Sequence, residues 1–208
     1  MKNGFTLAEV LITLAVVGVV SAMTLPVVIN KINDYNFKIA YKKAYRDVNE
    51  AYRMMKATDD EFTEISCTSR EYCLTCCYDA NFGENFKLLA KQFKAIKTCS
   101  ATEKYNCLKC PDNSSHECFI NYSAYAFVDN SGRVWAMYNN KENAFYVDTN
   151  GEKGPNLTGK DRWGFYLPRP KINRTNKNFI EPLYDEDITT KSKTCTSGDC
   201  KYKSWLIE

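Results

Sequence analysis

The chain has 208 residues, with 28 Lys and Arg against 25 Asp and Glu for a formal charge of +3. A balance this close to neutral gives no electrostatic footprint for nucleic acid, and the length leaves room for one modest globular domain beside any membrane segment. Ten cysteines, all beyond residue 66, argue for disulfides and an oxidising compartment.

From Phe5 to Ile29 the chain is Leu, Val, Ile, Ala, Gly, Met, Thr, Ser and Pro with one formal charge, Glu9. A run of this length can cross a bilayer as a helix, which takes roughly 20 apolar residues. A charge at the centre of such a helix costs about 2.5 to 3.5 kcal/mol on insertion scales. Glu9 lies nearer the end, so it costs less, but it still needs a partner. The Lys and Arg count around the span is at odds with the cysteines. Only Lys2 precedes it, whereas Lys31, Lys38, Lys42 and Lys43 follow closely, and the positive-inside rule would put that side in the cytoplasm. The cysteines place the same side outside, and we give them more weight.

Three readings compete for the first 30 residues. A secretory signal peptide could use Ser21-Ala22 as a cleavage site, but Glu9 falls inside its apolar run. A simple anchor leaves Glu9 without a role. The third reading is a resemblance: Lys2-Asn3-Gly4 followed by Phe5-Thr6-Leu7-Ala8-Glu9-Val10-Leu11 resembles the class III leader of type IV pilins and type II secretion pseudopilins. The resemblance implies that a prepilin peptidase cuts between Gly4 and Phe5 and that the new Phe5 amine is methylated. It further implies that Glu9, then fifth in the chain, pairs with the amine of a neighbouring subunit. A carboxylate in an apolar bundle is tolerable when an ammonium meets it. Gly18 and Pro26 also resemble the family's helix positions, and Pro26 is the expected helix break, since proline removes a backbone hydrogen bond and clashes with the preceding turn.

Helical periodicity continues past Pro26. Phe37, Tyr41, Ala44, Val48, Ala51 and Met55 recur at steps of three and four, with Lys38, Lys42, Lys43, Arg46, Asp47, Glu50 and Arg53 on the other faces. With no Gly or Pro over 27–57, one helix is predicted from Phe5 to Ala57, roughly 80 Å long at the α-helical rise. Its first part is apolar all round and its second part carries one stripe, as a helix packed on a globular head would. A coiled-coil homodimer is the alternative use of that stripe.

Eight cysteines fall between Cys67 and Cys118. Cys73-x-x-Cys76 and Cys107-x-x-Cys110 have the spacing of paired zinc thiolates, but the even total and the inferred export favour disulfides. Their connectivity is not deducible from sequence. Cys195 and Cys200, closing a short Thr-Ser-Gly-Asp loop, form the best single pair. Between the clusters, Phe86, Leu89, Phe93 and Ile96 mark a short amphipathic helix. His116, the only histidine, lies two residues from Cys118, yet a nucleophilic pair needs a third group and contact geometry that proximity in sequence does not supply.

Asn121 to Val128 alternates, Asp129-Asn130-Ser131-Gly132 reads as a turn, and Val134 to Tyr138 returns as the second arm of a hairpin. Ala144 to Val147 and Trp163 to Leu167 add two short strands, for an antiparallel meander of three or four. Between them, Asp148, Asn150 and Asp161 are oxygen donors at a spacing that suits a hard cation such as calcium. The competing reading makes Asn150-Gly151 and Gly154-Pro155 plain turn formers. The stretch resembles a D-x-N-G-x-x-G-P-N segment of some pseudopilin-like proteins, whose major members hold calcium in a C-terminal loop, but the ligands do not match residue by residue. No other cofactor is called for, and the polar tail from Arg169 carries no chemistry.

The reading is therefore an α+β fold: a long N-terminal helix, membrane-spanning in its first half, packed on a small antiparallel sheet with a disulfide-rich insertion. In chain order the segments are a leader (1–4), an assembly helix (5–29), an amphipathic continuation (30–57), the cysteine-rich insertion (58–119), the sheet (120–168) and a tail (169–208). The implied function is that of a structural subunit of a type IV pilus or type II secretion pseudopilus, and no enzyme. The chain would be held in the cytoplasmic membrane with its C-terminal domain outside the cytoplasm. Its partners would be the prepilin peptidase, like subunits and a membrane assembly platform. The alternative is a minor, tip-located subunit that binds a surface, cargo or DNA, and the near-neutral charge disfavours DNA.

Overall fold

The computed structural model describes residues 6–58, 62, 81–100, 103, 107, 125–139, 144–157, 160–168 and 180–182. They fall into two compact units, Met1–Phe37 and Lys38–Glu208. One helix, α1 (Leu7–Thr58, 52 residues), belongs to both.

In the first unit no described residue is buried, and from Leu7 to Ile29 α1 is apolar on every side except for Glu9 and a few hydroxyls. Its threonine hydroxyls are satisfied within the helix: Thr13 Oγ1 donates to the Val10 carbonyl at 2.9 Å and Thr24 Oγ1 to the Val20 carbonyl at 2.9 Å. A chain without access to water must satisfy its polar groups this way. Pro26, expected to break the helix, lies inside it instead. Its missing N–H removes one backbone bond, and long stretches of regular helix on both sides propagate across that loss.

In the second unit α1 buries the predicted stripe, Tyr41, Ala44, Val48, Ala51 and Met55, and adds Asn49 and Tyr52. Phe37, the predicted first member, is only half-buried. The short helix α2 runs Asn81–Gln92 and buries Phe86, Leu88, Leu89 and Ala90, with Phe93 just beyond its end. It ends at Lys94, which takes a left-handed φ of 50°. Ala95 N–H then reaches the Ala90 carbonyl and Lys94 N–H the Lys91 carbonyl, both at 3.0 Å. This is a Schellman turn made without glycine. The turn leaves Ile96, expected on the buried face, 69% exposed just before the next strand.

The sheet is a six-stranded antiparallel meander in sequence order: β1 (Lys97–Ser100), β2 (Tyr125–Val128), β3 (Val134–Asn139), β4 (Ala144–Asp148), β5 (Arg162–Tyr166) and β6 (Glu181–Pro182). The sequence predicted the four central strands and missed both edges. In β1 only Cys99 is buried, so it shows no apolar alternation, and β6 is two residues long. Residues opposite each other share a face, so Phe127, Trp135, Val147 and Trp163 line up across four strands, with Met137, Phe145 and Phe165 beside them. This face and the two helices make the main core. Tyr41 meets Trp163 at a ring-centroid distance of 4.4 Å and Phe93 meets Trp135 at 4.8 Å. On the other face Ala126, Val134 and Ala136 form a smaller cluster with Cys99 and Cys107, which are joined by a disulfide.

Polar pins hold α1 to this sheet. Asp129, fully buried at the β2–β3 turn, accepts from Ser131 N–H, Arg133 N–H, Arg133 Nε and Trp135 Nε1 at 2.7 to 3.0 Å. Arg133 reaches on to Asp47 of α1 at 2.8 Å, and its guanidinium lies 5.7 Å from the Phe93 ring centroid and 5.5 Å from that of Trp135. Asp129 and Arg133 therefore each have a counter-charge and hydrogen bonds, the condition under which burial is tolerable. At the other edge of the sheet, the Asn49 side-chain oxygen accepts the Ile180 N–H at 2.8 Å.

Candidate functional site

The N-terminal end of α1 is built around Thr6 and Glu9. Thr6 precedes the first helical residue, and Glu9 lies in the first turn. Glu9 Oε2 accepts the Thr6 N–H and the Thr6 hydroxyl, each at 2.8 Å, and the Glu9 N–H donates to Thr6 Oγ1 at 3.3 Å. This reciprocal arrangement is a capping box, which satisfies orphan N–H groups at the helix start. The carboxylate also lies where the helix dipole favours negative charge. The T-x-x-E spacing of this cap, Thr6-Leu7-Ala8-Glu9, is present in the sequence.

Around this cap the helix is exposed and apolar: Leu7 is 80% and Ile12 65% exposed. Among the described residues α1 is the one helix long and apolar enough to cross a membrane. Gly4 and Phe5, the expected cleavage pair, lie outside the described residues, as do Cys195, Cys200, His116 and Cys118.

The second place singled out by sequence is the β4–β5 loop, which brings Asp148, Asn150 and Asp161 together. Asp148 Oδ2 accepts Arg162 Nε at 2.8 Å, and its Oδ1 accepts the Asn150 N–H at 3.3 Å. Burial pushes the Asp148 carboxyl up to about 6, against the opposing pull of the Arg162 guanidinium. Asp161 is fully buried and accepts the Asn156 N–H on Oδ2 and the Leu157 N–H on Oδ1, both at 2.7 Å. The Asn150 side-chain amide donates to the Gly154 carbonyl at 3.1 Å. Both carboxylates thus already organise the loop, and a cation there would have to displace internal donors. Among the described residues no group of three or more His, Cys, Asp or Glu is placed to hold a metal ion.

Residues 1–25 match the family described as the prokaryotic N-terminal methylation motif, the class III prepilin leader of type IV pilins and pseudopilins. That match supports a type IV pilin-like or pseudopilin-type protein. Such a leader implies processing by a prepilin peptidase and assembly with like subunits, and with the apolar helix it points to membrane anchoring. No curated protein and no solved structure matched the chain.

Proposed function

We propose that the protein is a structural subunit of a type IV pilus or a type II secretion pseudopilus, held in the cytoplasmic membrane with its cysteine-bearing domain outside the cytoplasm. The observation that carries this reading is the register of Gly4, Phe5 and Glu9 within the matched leader. Cleavage between Gly4 and Phe5 creates an ammonium four residues before a carboxylate, at the head of an exposed apolar helix. The subunit then performs assembly rather than catalysis. Its helix leaves lipid for a bundle of like helices, and the ammonium of one subunit meets Glu9 of the next, as a charge in an apolar setting requires. Head-to-tail contacts of this kind build open filaments rather than closed rings. A membrane assembly platform and the prepilin peptidase are the partners this reading needs. Its test is Glu9→Ala in cells that assemble the wild-type chain. The variant should insert and be cleaved normally, yet be depleted from sheared filaments. Wild-type levels of the variant in filaments would remove Glu9 from the mechanism.

A further inference from the structure

We propose that the Arg162 guanidinium is the built-in cation of the β4–β5 loop, standing where the sequence suggested calcium, so that the head folds and stays folded without a divalent ion. The inference concerns the head alone and does not depend on the subunit reading. Asp148 and Arg162 are opposite each other on neighbouring strands, so the register of the sheet itself brings the positive charge to the carboxylate. Arg162 Nε donates to Asp148 Oδ2 at 2.8 Å, and both side chains are at most 2% exposed. The Asp161 charge is near enough to repel that of Asp148. One fixed guanidinium thus lies in a loop that carries two carboxylates.

The donors already in place leave little for a second cation. Asp161 receives the Asn156 and Leu157 N–H groups at 2.7 Å, and Asp148 Oδ1 receives the Asn150 N–H at 3.3 Å. Each N–H turns the positive end of its dipole towards an oxygen that calcium would have to bind, and the Arg162 charge repels a divalent ion over the same short range. Asn150 Oδ1 and Asn156 Oδ1 are buried and accept no hydrogen bond among the described residues. They are two neutral oxygens, whereas calcium takes roughly six to eight, carboxylates among them. A cation supplied by the chain is present at every calcium concentration. Its effect reaches beyond the loop, because a Cβ on Gly151 would lie 2.5 Å from the Gly132 carbonyl oxygen. Gly132 belongs to the turn whose Asp129 holds Arg133, which in turn reaches Asp47 of α1. Order in the β4–β5 loop therefore supports the attachment of the sheet to α1.

The test uses the full chain with its disulfides oxidised, purified in detergent at neutral pH. Thermal unfolding of the head is followed through the buried Trp135 and Trp163, in excess calcium chloride and in a chelator. The wild-type midpoint should not differ between the two, whereas a filled calcium site would raise it by several degrees. Arg162→Met keeps the bulk of the side chain and removes its charge. It should lower the midpoint by about 10 °C, because the Asp148 carboxylate is left buried without its partner. Excess calcium should return part of that loss, since the carboxylates then lack their cation. Arg162→Lys keeps the charge and should lose less. Asp148→Asn added to Arg162→Met should recover most of the loss, because neither charge remains. A wild-type midpoint that rises by several degrees in calcium would overturn the inference. So would an Arg162→Met chain as stable as wild type, or one that calcium does not help. Should Arg162→Met fail to fold, the wild-type comparison and Arg162→Lys still decide, and an Arg162→Lys chain that calcium stabilises as much as the chelator weakens it would overturn the inference as well.

Discussion

The two ends of α1 are made of the same backbone and use it in opposite ways. From Leu7 to Phe37 the helix buries nothing of its own, and large side chains such as Leu14 and Met23 are 64% and 71% exposed. From Lys38 to Thr58 it carries one stripe, and Tyr41, Ala44, Val48 and Met55 are at most 1% exposed. The second half is stabilised inside the molecule, by a sheet and by polar pins. The first half has its apolar surface unspent, and the one charge of its apolar run up to Ile29, Glu9, is held by a neighbour three residues away. A helix of this kind separates folding from assembly, so substitutions in one half should spare the property carried by the other.

The largest effects on folding are expected in the core of the head. Phe165→Ala removes a fully buried ring that meets Tyr41, Trp135 and Phe145, and should cost about 3–5 kcal/mol. Asp129→Ala should cost about as much, because it leaves the Arg133 guanidinium buried without its nearest counter-charge. Leu14→Ala is the control in the exposed half: denaturant unfolding of the head should not change. A head destabilised by Leu14→Ala would mean that the two halves are not independent.

Next in size is the disulfide. Cys99→Ala, or reduction, opens the Cys99–Cys107 link across a separation of 8 residues, and should destabilise the head by about 2–3 kcal/mol. Thermal unfolding with and without reductant measures this, and the Cys99→Ala chain should lose part of the wild-type response.

The Asp148 carboxyl sets a pH dependence whose sign can be worked out. Its folded pKa is raised from 3.8 to about 6, so between those values the folded chain holds a proton that the unfolded chain has released. That contribution is fully present below about pH 3.8 and is lost as the pH rises through about 6, at most on the order of 2–3 kcal/mol. Unfolding free energies measured from pH 4 to pH 7 should carry this falling component, and Asp148→Asn should remove it.

Gly151→Ala strains a turn rather than opening the core. Gly151 has a φ of +68°, and a Cβ there would lie 2.5 Å from the Gly132 carbonyl oxygen. The left-handed backbone and the close approach together should cost about 1–2 kcal/mol, read as a lowered denaturant midpoint.

The contrast between the halves also explains what could be seen in the sequence. The apolar run, the three-and-four stripe and the four central strands are all periodic signals, and periodicity survives without coordinates. Strand β1 could not be found that way: three of its four residues are exposed, and its pairing with β2 is a contact distant in sequence. Strand β6 is recognised by its pairing with β5, a contact distant in sequence. Lys94 ends α2 in a conformation usually given to glycine, so nothing in its identity announced the turn that exposes Ile96. At the functional end, Glu9 stood out as a charge among apolar residues. Thr6 did not, because a threonine in such a run is unremarkable until its hydroxyl is seen on the carboxylate. The network of Asp47, Asp129 and Arg133 was equally silent, since Asp47 lies 86 residues from Arg133 and all three look like ordinary surface charges.

The central claim is that the exposed half of α1 becomes competent for assembly when the leader is removed. Intact-mass and N-terminal analysis of the protein from cells with an active prepilin peptidase tests it most directly. The account predicts loss of Met1 to Gly4 and a methylated Phe5 at the new terminus. A chain that still begins at Met1 in those cells would contradict it.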